Sequence, residues 1–292
     1  MGMMGMMGMM GKAGMMGKAG MDLKISFTTL ACPDWSFEKV LDEASKLGYQ
    51  GIEIRGIKDE MRADRLPEFF VDNAEATKIK LAKKGLSIVG FGSSVKFHDE
   101  TEYNDAIEEG RLAIDVCARM GIPVLRIFGD RINDESRNET LVRICSGIRA
   151  LCEYARGKGV AILQEVHGDF NTIENIAPIL TNVKDCPEYG VLWDIANSDT
   201  SYGDRWRDFY AIIKPLVQHV HIKDHIKKES DLIYCPPGEG EVPIADIVAT
   251  LRQDGYSGWY SFEWEKKWHP EIAAPETVLP IYIEYMKKLL GT

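Results

Sequence analysis

Long apolar runs are missing from this chain. No stretch approaches the roughly 20 consecutive apolar residues of a transmembrane helix, so no membrane partner is expected. A basic excess is missing too: 35 Lys and Arg stand against 45 Asp and Glu, a formal net charge of −10. A chain this acidic repels phosphate backbones, which makes nucleic acid a poor partner. The six cysteines (32, 117, 145, 152, 186, 235) form no CxxC, and reduced thiols in a cytoplasmic protein are the simplest expectation. Neither GxGxxG nor GxxxxGK[ST] follows any strand-like run, so the usual nucleotide loops are lacking. Histidine is scarce, yet three of the six fall in the heptad His219-Val220-His221-Ile222-Lys223-Asp224-His225.

What is present is a rhythm. Residues 1–20 are a Met/Gly repeat that holds nine of the 13 methionines. They have neither the basic start nor the clean apolar run of a signal peptide, and read as a disordered or appended leader. Without Lys12 and Lys18 the balance is 33 basic to 45 acidic residues, net −12. Residues 21–292 are expected to form one domain. In them β-rich apolar runs alternate with amphipathic stretches eight times, about every 30 residues. The strand-like runs are 24–30, 51–56, 86–94, 124–129, 160–167, 190–197, 217–225 and 258–265. Eight such units predict a single (β/α)8 TIM barrel, an α/β fold with its site at the C-terminal strand ends. A doubly wound open sheet is the alternative. Residues 226–242 are expected to be a long loop with a Gly/Pro-rich second half.

Polar residues gather at the ends of the last four strands: Gln164-Glu165-Val166-His167, Asp194-Ile195-Ala196-Asn197, the histidine heptad, and Glu263-Trp264-Glu265. Counted from each apolar start, Glu165, Asp194, His221 and Glu263 reach similar heights. Three carboxylates converging in a barrel mouth repel unless a cation joins them. Carboxylates with one imidazole suit Mn, Mg, Co or Zn. The competing reading of each residue alone is a solvated rim group. At strand period His219, His221, Lys223 and His225 share a face. His219 lies deeper and is expected to be a support or core histidine, with His225 at the rim.

The pieces QEVH, LWDIAN, HVHIKD and SFEWE, with GEGEVP after strand seven, resemble the xylose isomerase-like barrel superfamily in its sugar phosphate isomerase/epimerase branch. The strand–helix rhythm extends the likeness over residues 22–290. The resemblance implies one divalent metal, manganese favoured, held by Glu165, Asp194, His221 and Glu263. It also implies a small sugar or cyclitol substrate and a possible homo-oligomer. The leading expectation is an isomerase or epimerase that abstracts a proton next to a carbonyl through an enediolate, with Glu165 and Glu263 moving the proton. His167 is a candidate acid/base. Lys223, Arg55, Asn197 and Trp264 are candidate substrate contacts, with Arg126 a weaker one, and each has a structural alternative. Asn197 and Asn171 stand where the ketose 3-epimerases carry His and Glu. The endonuclease branch needs more histidines than are present. A metal-dependent dehydratase or lyase, eliminating from an inosose or a 3-keto-glycoside, and a non-catalytic sugar-binding barrel are the alternatives.

Overall fold

The computed structural model describes residues 23–132, 136–229 and 231–291. The Met/Gly leader expected at 1–20 lies outside them. Short runs dense in Ile, Val, Leu and Phe make the barrel strands: β1 Ile25–Thr28, β2 Gly51–Ile54, β3 Ser87–Lys96, β4 Val124–Phe128, β5 Ala161–Glu165, β6 Tyr189–Asp194 and β7 Val217–Ile222. A hairpin of β8 Asp224–Lys228 and β9 Asp231–Cys235 follows, and β10 Trp259–Phe262 closes the ring. The eight barrel strands are parallel, in the closed order β1-β10-β7-β6-β5-β4-β3-β2. An open doubly wound sheet is thereby excluded.

Helices α1 Phe37–Leu47, α2 Val71–Lys83, α3 Tyr103–Met120, α4 Arg137–Ala155, α5 Ile173–Val183, α6 Ile195–Tyr202, α7 Trp206–Ile213, α8 Ile244–Gln253 and α9 Pro275–Leu290 complete the layer around the strands. Helix α1 shows why they begin and end where they do. Ser36 Oγ accepts the Lys39 N–H at 3.3 Å, and Gly48 (φ 85°) turns the chain out of the helix. Apolar side chains such as Ile52, Ile54, Val166 and Val220 are fully buried. Strand alternation then turns their neighbours, Glu53, Glu165, His219 and His221, into the barrel.

Two expected boundaries move. Strand six stops at Asp194, because its Oδ1 accepts the Asn197 N–H at 2.9 Å and starts α6; residues 195–197 are helix, not strand. Strand seven breaks at Lys223, so the expected run 217–225 is β7 followed by β8. The expected loop 226–242 contributes most of the antiparallel hairpin, in which Ile226 pairs with Ile233.

Candidate metal and substrate site

Register places the polar residues. Asp194 lies beside His221 across β6 and β7, and Ser261 beside His221 across β7 and β10, which brings Glu263 just above. Glu165 ends β5 next to Leu192. One donor atom from each of Glu165, Asp194, His221 and Glu263 falls within a sphere of mutual distances under 4.8 Å, and all four residues are buried. His221 Nδ1 stands 3.2 Å from Glu263 Oε1 and 3.8 Å from Glu165 Oε1. His221 Nδ1, Glu165 Oε2 and Asp194 Oδ2 are buried without a hydrogen-bond partner among the described residues. Three carboxylates and an imidazole, buried, convergent and under-satisfied, fit a divalent metal site.

The electrostatics explain how the cluster holds together. Arg126 Nε lies 3.0 Å from Glu165 Oε2, an ion pair whose angle misses a hydrogen bond. Lys223 Nζ reaches Asp194 Oδ2 at 2.8 Å, Glu263 Oε2 at 2.9 Å and Glu265 Oε1 at 2.6 Å. Burial alone would lower Lys223; these three carboxylates outweigh it and hold the ammonium well above its usual range. Asp194 goes the other way. Its carboxyl is pushed up to about 7 by burial, against the pull of Lys223. For Glu263, burial is outweighed by His221 and Lys223, which hold the carboxyl well below its usual value.

One participant was not anticipated. Glu53, in β2, sits beneath the cluster and accepts from His219 Nε2 at 2.9 Å and from His221 Nε2 at 3.0 Å. Burial would raise its carboxyl, but the two imidazoles overcome it and hold Glu53 well below the carboxylate range. The signal was available in GIEIRG: an acidic residue between two isoleucines in a four-residue strand must point inward. His219 is thus the expected support histidine in position, held by Glu53.

The remaining candidates separate. His167 is partly exposed, tilted on Phe128 with centroids 4.7 Å apart, and its Nδ1 is 3.6 Å from Asp130 Oδ1. Arg55 is buried at the end of β2, facing Ser94 and Arg126. Asn197 spends its side-chain amide on the Val166 carbonyl at 3.0 Å, which ties α6 to the end of β5. Trp264, a candidate substrate contact, takes its structural alternative, packing. It is 1% exposed, stacks on Phe262, and gives its indole N–H to the Ala273 carbonyl at 2.9 Å. His225 is not at the rim: the strand break turns it into the protein, with Nε2 3.3 Å from Asp199 Oδ2.

A sequence profile for the xylose isomerase-like TIM barrel matches residues 41–289. The chain belongs to that family. Its curated relatives include fructoselysine 3-epimerase of Shigella flexneri, 25% identical over 77% of this chain and 84% of the relative. Inosose dehydratase of Lacticaseibacillus casei is 22% identical over 79% of this chain and 83% of the relative. Among solved structures, the IOLI protein with a bound zinc atom superposes with a TM-score of 0.72 at 19% identity, covering 92% of this chain and all of that one. The last similarity is one of fold. Among the described residues no helix is long and apolar enough to cross a membrane.

Proposed function

We propose that this protein is a divalent-metal-dependent enzyme that abstracts a proton next to a carbonyl in a sugar or cyclitol, isomerising or epimerising it. The observation that carries the reading is the convergence of two buried carboxylates, Glu165 at 3.8 Å and Glu263 at 3.2 Å, on His221 Nδ1. Glu165, Asp194, His221 and Glu263 would hold the ion, with Mn²⁺ favoured by hard oxygen donors and a single imidazole. When bound, such a cation polarises the substrate carbonyl and stabilises charge that develops on its oxygen.

The chain's own residues do the rest. Arg126 occupies Glu165 Oε2 and leaves Oε1 turned toward His221. Burial and Glu263 favour the proton on Glu165, but Arg126 and His221 prevail, and Glu165 enters as a base. Glu263 is also held ionised. It can return a proton to the opposite face only after gaining one against His221 and Lys223. Return by Glu165 to an adjacent atom, or loss of a β-leaving group, needs fewer proton transfers. Elimination is therefore the second reading, and the inosose dehydratase relative supports it.

The test is to incubate the Mn²⁺-loaded protein in D₂O with a free ketose and, separately, with a 3-keto-glucoside, followed by NMR. Deuterium at the carbon next to the carbonyl is expected; an enone or released aglycone selects elimination. If the purified protein holds no divalent metal, and Glu165→Gln leaves metal content and sugar binding unchanged, a non-catalytic sugar-binding barrel is the better description.

A further inference from the structure

The barrel mouth is polar in the electrical sense. Strands β5, β6 and β10 end in the carboxylates Glu165, Asp194 and Glu263, with His221 of β7 and Lys223 among them, whereas above Glu53 the ends of β2, β3 and β4 carry Arg55, Lys96 and Arg126. Arg55 is 9% exposed, directly after β2. Its Nη2 donates to Ser94 Oγ at 3.1 Å, but Nη1 is buried with no hydrogen-bond partner among the described residues. No described carboxylate oxygen lies within ion-pair distance of it; Glu165 and Glu263 act on it only from farther away. Beside it is a second guanidinium. A Cβ built at Gly92 would fall 2.7 Å from Arg55 Cδ and 2.8 Å from Arg126 Nη2, so both arginines lie against that bare strand position. Arg126 is committed to Glu165 and, through Nη1, to the Ser93 carbonyl at 2.8 Å. Arg55 is not.

Above this pair the rim carries Lys96, His98 and His167, all turned to Asp130. The distances are loose: Lys96 Nζ 3.6 Å, His98 Nδ1 3.9 Å and His167 Nδ1 3.6 Å. One carboxylate serves three basic side chains. Register links the two levels, since Arg126 pairs with Gly92 and Phe128 with Lys96. Burying a guanidinium with a free fork nitrogen beside a second guanidinium is unfavourable in the free protein. The burial pushes Arg55 down to about 9, with Arg126 adding to the effect. A planar fork of this kind matches an anion with two oxygens.

We propose that the substrate carries an anionic group, a carboxylate or a phosphate, and that Arg55 receives it on the wall opposite the metal ligands. The oxygens to be transformed then lie at the carboxylate cluster, and the anion fixes which end of the sugar enters first. Arg55 is a specificity-determining residue. This inference rests on the reading of Glu165, Asp194, His221 and Glu263 as the reacting centre.

The test compares three unreactive probes of one carbon skeleton by calorimetric titration of the Mn²⁺-loaded protein: glucitol, gluconate and glucitol 6-phosphate. At least one anionic probe is expected to bind tenfold or more tighter than glucitol, and the better one identifies carboxylate or phosphate. Arg55→Met is expected to reduce that preference, taken as the ratio of anionic to glucitol affinity on the same sample, to within about twofold. Arg55→Lys, which keeps the charge without the fork, is expected to restore part of it and guards against a misfolded Met variant. The proposal is overturned if no anionic probe exceeds glucitol tenfold, or if Arg55→Met keeps the full preference. Metal content is measured on the same samples. Its absence refutes the reacting-centre reading separately, because the anion preference is then scored on metal-free protein.

Discussion

Glu53 accepts from two histidines at once, and the consequence falls on His221. With Nε2–H committed to Glu53, Nδ1 is the nitrogen that faces Glu165 and Glu263. Such a carboxylate orients the imidazole and raises its basicity toward a metal. Glu53→Gln is expected to lower Mn²⁺ or Zn²⁺ affinity by about 10- to 100-fold, read by calorimetric titration, with the far-UV spectrum unchanged. A second residue-scale effect concerns the Asp130–His167 pair. The His167 contact, aided by His98 and Lys96, holds Asp130 down to about 2. Burial would lower His167, but Asp130 and the charge of Glu165 together outweigh it and raise the imidazole. The Asp130 contribution is present above its ordinary value of 3.8 and fades as pH falls toward 2. The His167 contribution is present below 6.5 and fades as pH rises through the raised value. The melting difference between wild type and Asp130→Asn is therefore expected to be largest between about pH 4.5 and 6 and to shrink by about pH 9.

At the level of elements, the break between β7 and β8 organises the mouth. Asp224, just past the break, is fully buried and accepts four backbone N–H groups, from His225, Gly238, Gly240 and Val242, at 2.8–3.1 Å. It holds the GEGEV segment against the hairpin, and its carboxylate is taken up by backbone. Gly240 is required by the same contact: a Cβ there would sit 2.2 Å from Asp224 Oδ1. Asp224→Ala orphans the buried donors and is expected to cost roughly 3 kcal/mol or more in urea unfolding. The hairpin also delivers Tyr234, whose hydroxyl donates to Glu265 Oε1 at 3.4 Å and whose ring lies 5.9 Å from Lys223 Nζ. The strand break thus separates Lys223, which faces the carboxylates, from His225, which faces Asp199.

For the whole molecule, closing the barrel concentrates Glu53, Glu165, Asp194 and Glu263, each no more than 5% exposed, around two imidazoles, the Arg126 guanidinium and the Lys223 ammonium. A cation that binds only the folded state adds stability by mass action. Mn²⁺ at about 100 times its dissociation constant is expected to stabilise the protein by about 2.7 kcal/mol, and chelation to lower the melting temperature by several degrees. Calorimetric scans with and without chelator check this.

Eight alternating units and the apolar starts of the strands were legible in the sequence because period-two burial repeats locally. The level of Glu165, Asp194, His221 and Glu263 was legible for the same reason: counting along a strand fixes height when all strands run parallel. Lateral partnership was not. Glu53 and His219 lie 166 positions apart, and only ring closure places β2 across from β7. The fate of Trp264, packed on Phe262 rather than facing the site, depends on α9 and the segment before it. The break at Lys223 depends on the backbone that Asp224 gathers from 14 to 18 residues ahead. The sequence by itself determined the eight strand–helix units of the barrel and the common height of Glu165, Asp194, His221 and Glu263 at its mouth, since both follow from periodicity. Tertiary structure alone decided which cations meet which carboxylates, because ion pairs form across strands whose order no local pattern encodes.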